Sequence, residues 1–327
     1  MPNESFEKLQ VDGAQIAYRR IGNGRPLVIL NGFAATSADW DPSFIHGLAA
    51  SNELVLLDNR GIGGSTDSGK PFDITQLADD AARAVEMLGL ERTSVLGWSM
   101  GGFIAQTLAL EQPGRINKLI LLSTDPGGAD ADLASTAVWS QLTDMSGTPH
   151  EQARRLLSLL FPSDVADSVY REFGDIVAAA RSRLSPDLVN RQAAAMDTWH
   201  RTGVRNRLQD VNVPVLIATG HSRRRDSAVQ RVKAGQRYSR RLAGSIQWRW
   251  PRFHGPVSTS AGRPYQWLSR AWMNNAAPVY DRRSPRPGFP AFADRLCVVP
   301  KAFGIDLFQS FHAIFHCFGR AFIFFPG

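Results

Sequence analysis

The chain has 327 residues, 43% of them hydrophobic, which suits one large α/β domain with a sizeable core, with room for an inserted subdomain. Its first ten residues are polar and lack the basic-then-apolar pattern of a secretory leader. No run reaches the roughly eighteen apolar residues of a membrane span, so a cytoplasmic protein without a membrane partner is expected. The net charge of +7 conceals two unlike parts: residues 221–327 hold 18 Lys+Arg against four Asp and no Glu, whereas 1–220 is net acidic. Both cysteines, Cys297 and Cys317, also lie in the later part, which excludes a disulfide or Cys-based metal site from the first 220 residues.

Val11-Asp12-Gly13-Ala14 carries a turn signal between alternating segments and predicts an N-terminal hairpin ending near Arg20. Short, nearly continuous apolar runs follow at Pro26–Leu30, Glu53–Leu57, Thr93–Leu96, Asn117–Leu122 and Val213–Ala218, the signature of strands buried on both faces of a parallel sheet. Asp73 is placed to cap a helix in which Ile74, Leu77, Ala81, Val85 and Leu88 recur at helical spacing. A second helix spans Gly102 to Glu111 and stops at Pro113-Gly114. Strands alternating with helices imply crossover units and a mostly parallel, doubly wound α/β sheet. From about Asp125 to Asp210 strand signals give way to helical stretches such as Glu151–Phe161 and Asp187–His200. These predict a helical cap inserted after the fourth parallel strand, over the carboxyl ends where open sheets bind ligands. The expected organisation is a core over 1–124, a cap over 125–210, a returning core strand at 211–220 and an unrelated basic tail over 221–327.

Gly97-Trp98-Ser99-Met100-Gly101-Gly102 lies between a buried strand and a helix. A hydroxyl projecting from so tight a turn needs small neighbours, and a helix N-terminus behind it favours developing negative charge. Ser99 is therefore the candidate nucleophile. Leu30-Asn31-Gly32-Phe33 follows another strand, so the backbone N–H of Phe33 could face that of Met100 and complete a two-donor oxyanion hole. Trp98, Trp139, Trp199 and Met100 are candidates for lining an acyl pocket, with a core role equally open for the tryptophans. Leu57-Asp58-Asn59-Arg60-Gly61-Ile62-Gly63-Gly64-Ser65 is glycine-rich but follows a later strand and opens no helix, which argues against a dinucleotide site.

Together these three motifs, in this order and spacing, resemble the α/β-hydrolase fold superfamily, in the flavour of small cofactor-free esterases, enol-lactonases and haloperoxidase-like perhydrolases. The resemblance covers roughly residues 10–220. It implies Ser99 as nucleophile, Phe33 and Met100 as oxyanion donors, a small-molecule acyl substrate, a cap that shapes the pocket, and neither metal nor other cofactor. Ser at the elbow argues against the branches that use Asp there, and Asn31 stands where members often have His.

The resemblance also implies an acid after the Val213–Gly220 strand and a His in a Gly-x-Gly-His loop after the last strand. Neither is present: after Gly220 the chain reads His221-Ser222-Arg223-Arg224-Arg225-Asp226 and continues basic, with no strand–helix alternation. Codons for Trp248 to Val257 shifted by one base permit Gly-Ala-Gly-His-Gly-Phe, and those near Gly220 permit an acid loop, as a change of reading frame would produce. The competing reading is a genuine basic tail, whose arginines suit nucleic acid. Out-of-frame reading of a GC-rich gene gives the same composition, so no nucleic-acid partner is expected. Phe308, Phe311, Phe315, Phe318 and Phe322 form a helical stripe there. Weak candidates for acid or base are Asp125, Asp226 and His254, with His312 and His316 farther along, while His46, His150 and His200 read as ordinary helix or loop residues. For Asp125, capping the start of the cap is the simpler role. Three functions stay open: an esterase-like serine hydrolase, a frame-altered chain lacking its acid and base, and a ligand-binding pseudoenzyme.

Overall fold

The computed structural model describes residues 6–128, 131, 134–161, 163–219 and 243–247. The hairpin forms as its turn dictates: β1 (Glu7–Val11) and β2 (Ala14–Ile21) are antiparallel with Val11 opposite Ala14, and Asp12 and Gly13 both take positive φ. Behind it lie β3 (Arg25–Leu30), β4 (Asn52–Leu57), β5 (Thr93–Trp98), β6 (Ile116–Leu122) and β7 (Val215–Thr219). The sheet order is β1-β2-β4-β3-β5-β6-β7, extended by β8 (Ala243–Gln247), and every pairing from β4 to β8 is parallel. β8 is a departure from the sequence reading, which finds no strand beyond Gly220. Its pairing with β7 supplies the partner that a bare edge strand lacks.

The alternation of each strand divides the core in two. Leu27 and Ile29 of β3 and Leu54 and Leu56 of β4 join Phe44, Ile45 and Leu48 of α1 (Pro42–Ala49) on one face. Val28, Leu30, Val55 and Leu57 point to the other face, against α2 (Ile74–Met87) and α3 (Met100–Glu111). Asp73 caps α2 as its position predicts, its Oδ1 accepting from Gln76 N at 2.9 Å.

Between β6 and β7 the described elements are helices α4 (Thr136–Thr143), α5 (Pro149–Leu160), α6 (Ser163–Arg181) and α7 (Pro186–Thr202), then a 3-10 turn at Arg205–Asp210. Thr148 and Glu151 form a reciprocal capping box at the start of α5, and Pro149 occupies its first turn. Helix α7 packs on both α2 and α4. The segments entering and leaving the helical insert cross backbone on backbone: Val204 N donates to Pro126 O at 2.8 Å, and Gly127 and Gly203 both have positive φ. A Cβ on Gly127 would stand 2.5 Å from Trp199 O, and one on Gly203 2.5 Å from Pro126 O, so this neck admits only glycine at either position. Among the described residues no helix is long and apolar enough to cross a membrane.

Candidate active site

Strand β5 delivers Ser99 to the start of α3 with φ +52° and ψ −120°, a conformation that costs a non-glycine residue free energy and persists only where surroundings over-determine it. Three hydrogen bonds do so here. Ser99 N donates to Leu122 O at 2.9 Å, and Ser99 O accepts from Gly102 N and from Thr124 Oγ1, both at 2.8 Å. The flanking glycines are steric necessities. A Cβ on Gly97 would lie 2.6 Å from Gly101 C, one on Gly101 2.6 Å from Leu30 C, and one on Gly102 2.5 Å from Thr124 Cβ. The turn is thus closed against β3 and β6 on either side of β5, and Ser99 is left 4% exposed.

Across from it, the loop after β3 is held from below. Asn31 is fully buried, its Nδ2 donating to Leu57 O at 2.8 Å and its Oδ1 accepting from Trp40 Nε1 at 2.7 Å. Ala34 has φ +52°, and its N–H donates to Gln192 Oε1 at 2.8 Å, so this donor is already engaged. The N–H of Phe33 has no hydrogen-bond acceptor among the described residues. Met100, first in α3, has no acceptor within its own helix. Its side chain is fully buried in the core cluster containing Phe103 and Ile104.

The glycine-rich loop after β4 is occupied with supporting this region. Asp58 accepts from Ser37 N at 2.6 Å and from Gly64 N at 2.9 Å, tying the two loops together. Arg60 makes a bidentate pair with Asp80 of α2 at 2.9 and 2.6 Å, both side chains nearly sealed from solvent.

Trp98 packs toward the α1 face, edge-on to Trp40 at 5.7 Å, with its ring over Gly32. The residue proposed for the pocket from sequence thus has a core contact at the base of the Phe33 loop. Asp125 follows Thr124 and is fixed beside α3, its carbonyl accepting from Gln106 Nε2 at 2.9 Å. Its carboxylate accepts from Gly127 N at 2.8 Å, an Asx turn at the neck, and lies 3.8 Å from His200 Nε2. Burial pushes Asp125 up to about 6, against the opposing effect of the Gly127 N–H. Burial likewise lowers His200, with Asp197 pulling the other way. Asp226 and His254 lie outside the described residues.

The sequence reading took His200 as an ordinary helix or loop residue and did not single out Gln192; both lie on α7. His200 stands edge-on to Phe103 at 5.5 Å and Trp139 at 6.0 Å, and Trp139 reaches Phe33 at 6.2 Å. In the first half of the same helix, Leu188 covers Gly61, and Arg191 pairs with Asp67 at 2.6 Å and Asp187 at 2.8 Å. Gln192 is the polar member of a stripe formed with Val189, Ala195, Met196 and Trp199, all buried. A glutamine inside an apolar helical stripe was the signal available in the sequence.

Comparison with known proteins places the fold. A family model described as alpha/beta hydrolase fold matches residues 25–248, reaching past the change in composition to include β8. A non-heme haloperoxidase of Rhodococcus erythropolis is 34% identical over 116 residues, 35% of this chain and 42% of the relative. A pimeloyl-[acyl-carrier protein] methyl ester esterase of Aeromonas hydrophila is 32% identical over 112 residues, 34% of this chain and 42% of the relative. The matched stretch therefore spans less than half of either protein. Among solved structures, the esterase RhEst1 from Rhodococcus sp. ECU1013 aligns with TM-score 0.59 and 26% identity, over 75% of this chain and 90% of that one. A hydrolase from Pseudomonas aeruginosa PA01, 23% identical, aligns with TM-score 0.62 over 75% of this chain and 91% of that one, a likeness of fold. With two thirds of its length matched by that family model, the chain belongs to the alpha/beta hydrolase fold family.

Proposed function

We propose that this chain is a serine hydrolase acting on a small ester, lactone or thioester through an acyl-enzyme. The observation that carries the reading is Ser99 held at positive φ between three glycines whose Cβ atoms have no room, at the N-terminus of α3. So constrained a backbone is kept where the hydroxyl must project. In the reaction Ser99 Oγ attacks the acyl carbon while a base takes its proton. The carbonyl oxygen becomes an oxyanion, to which the N–H groups of Phe33 and Met100 donate. The leaving alcohol or thiol takes a proton as the tetrahedral adduct collapses to the acyl-enzyme, and water then releases the acid. The test is turnover of p-nitrophenyl acetate and butyrate by the full chain beside Ser99→Ala. Turnover well above the variant is expected, and equal rates overturn the reading.

A second reading, in which a frame change near residue 220 has removed the acid and the base, is favoured by the break in composition there: 221–327 holds 18 Lys+Arg against four Asp and no Glu, while 1–220 is net acidic. The family match runs on to residue 248 and ends before His254. Such a chain keeps the elbow and oxyanion donors, and with them about 10³–10⁴-fold acceleration over water. Resequencing the gene decides it: a Gly-x-Gly-His absent from the adjacent frame removes this reading.

A further inference from the structure

Arg181 ends α6 inside the helical insert and is 7% exposed. Burial pulls its guanidinium down from the ordinary value and the Arg155 charge adds to this, against an opposing effect of Asp144. Among the described residues no carboxylate forms an ion pair with Arg181, and Asp144 is engaged by Arg155 at 3.3 Å. The donors of Arg181 meet uncharged groups instead: Nε donates to Gln152 Oε1 at 3.3 Å, and Nη2 donates to Met145 Sδ at 2.9 Å. A thioether is a weak acceptor, whereas a buried cation calls for strong ones. The loop that carries Met145, between α4 and α5, is clamped through its backbone. Gln152 Nε2 donates to Met145 O at 2.8 Å and to Gly147 O at 3.2 Å, and Arg155 Nη2 donates to Asp144 O at 3.0 Å. Met145 is itself partly exposed, and Ser146 and Gly147 beside it are open to solvent.

We propose that Met145 is an oxidation site whose sulfoxide is the better-bonded form, its new oxygen accepting from the Arg181 guanidinium that the thioether satisfies weakly. The oxidant is hydrogen peroxide. A lone pair of Sδ attacks one peroxide oxygen, and the S–O bond forms as the O–O bond breaks. The proton of the transferred hydroxyl passes to the departing hydroxide, giving sulfoxide and water, with sulfur oxidised by two electrons and peroxide reduced. Methionine oxidation ordinarily disrupts packing, because it places a polar group among apolar ones. Here the polar group meets a buried cation, so a charge-assisted hydrogen bond replaces a weak one. The unbranched side chain has the rotatable bonds to draw its sulfur back and admit the oxygen. Other methionines serve as internal references: Met100 and Met196 are sealed in the core, and Met87 is 52% exposed on α2.

The full chain is treated with hydrogen peroxide, and each methionine is read by peptide mass spectrometry. Thermal unfolding is then compared with that of Met145→Leu treated identically, a volume-conserving swap that keeps the fold. The expected result is an added oxygen on Met145 and Met87, with Met100 and Met196 unchanged. Tm of the treated chain should rise about 2–4 °C more than that of Met145→Leu. In Arg181→Leu, which offers the sulfoxide no donor, oxidation of Met145 should lower Tm instead; where that variant does not fold, the comparison with Met145→Leu decides alone. Met145 left as a thioether while Met87 is converted, a Tm that rises no more than in Met145→Leu, or a rise that survives in folded Arg181→Leu each overturns the proposal.

Discussion

Replacing Asp125 by Asn isolates the cost of a charge held at the neck of the helical insert. Asn preserves the acceptor for Gly127 N–H and the volume of the side chain, and removes the ionisation. Burial raises Asp125 from 3.8 to about 6, so between these values the folded chain holds a proton that the unfolded chain has released. The contribution of this group is therefore fully present below pH 3.8 and lost as pH rises through about 6. At about 1.4 kcal/mol per unit, the ionised carboxylate costs the fold about 3 kcal/mol by pH 8. Asp125→Asn should accordingly stabilise the chain at pH 8 by about 1–3 kcal/mol and leave it nearly unchanged at pH 4. His200 supplies the opposite slope. Its lowered pKa gives a contribution present above 6.5 and lost as pH falls, and this slope stands uncovered once Asp125 is neutralised. Urea unfolding at pH 4, 6 and 8, followed by tryptophan fluorescence, measures all three. A variant destabilised near pH 6 would refute the reasoning, because it would mean that a charged Asp125–His200 pair holds the neck together.

Asp80→Ala strands the Arg60 guanidinium in a dry environment and should cost about 3–5 kcal/mol in the same unfolding assay, with the m-value unchanged. Gly101→Ala drives a methyl group into the backbone of Leu30; loss of Ser99-dependent ester turnover by at least a hundredfold is expected in steady-state kinetics, roughly the effect of losing an oxyanion donor. Gly203→Ala forces an L side chain into positive φ against Pro126 O, and should lower stability by about 1–3 kcal/mol and expose the neck to limited proteolysis before the sheet.

The parallel strands from β3 to β7 were legible because each is an apolar run buried on both faces, and such a run reads the same whatever surrounds it. Asp73 and the Asp12-Gly13 turn were legible because their chemistry is local: a carboxylate that accepts from the N–H three residues on, and two residues suited to positive φ. β8 escaped because Ala243-Gly244-Ser245-Ile246-Gln247 has neither an apolar run nor clear alternation; its strand character comes from the open edge of β7. The Gly127–Gly203 crossing escaped for a related reason: each glycine is ordinary alone, and the requirement arises only when residues 76 positions apart meet.

The site divides along the same line. Ser99 and its glycines form one contiguous motif legible in six consecutive residues, although only the crowding of Gly97 by Gly101 and Gly102 lies within it; Gly101 is crowded by Leu30 and Gly102 by Thr124. The loop opposite is different, because its conformation depends on a partner from another part of the chain. Ala34 keeps φ +52° with its N–H on a glutamine 158 residues away. Nothing near Ala34 specifies Gln192, and nothing near Gln192 specifies the loop; the only trace is a polar residue where the helical stripe calls for an apolar one. A fully buried amide in that position is tolerable when both ends are paired, and here the chain itself pairs one. The insert is thus coupled to the loop after β3 by a hydrogen bond as well as by coverage. Moving α7 away would release Ala34 N–H and unpair Arg191 from Asp67 together, so a displacement of this helix and a change in the Phe33–Ala34 loop are one event.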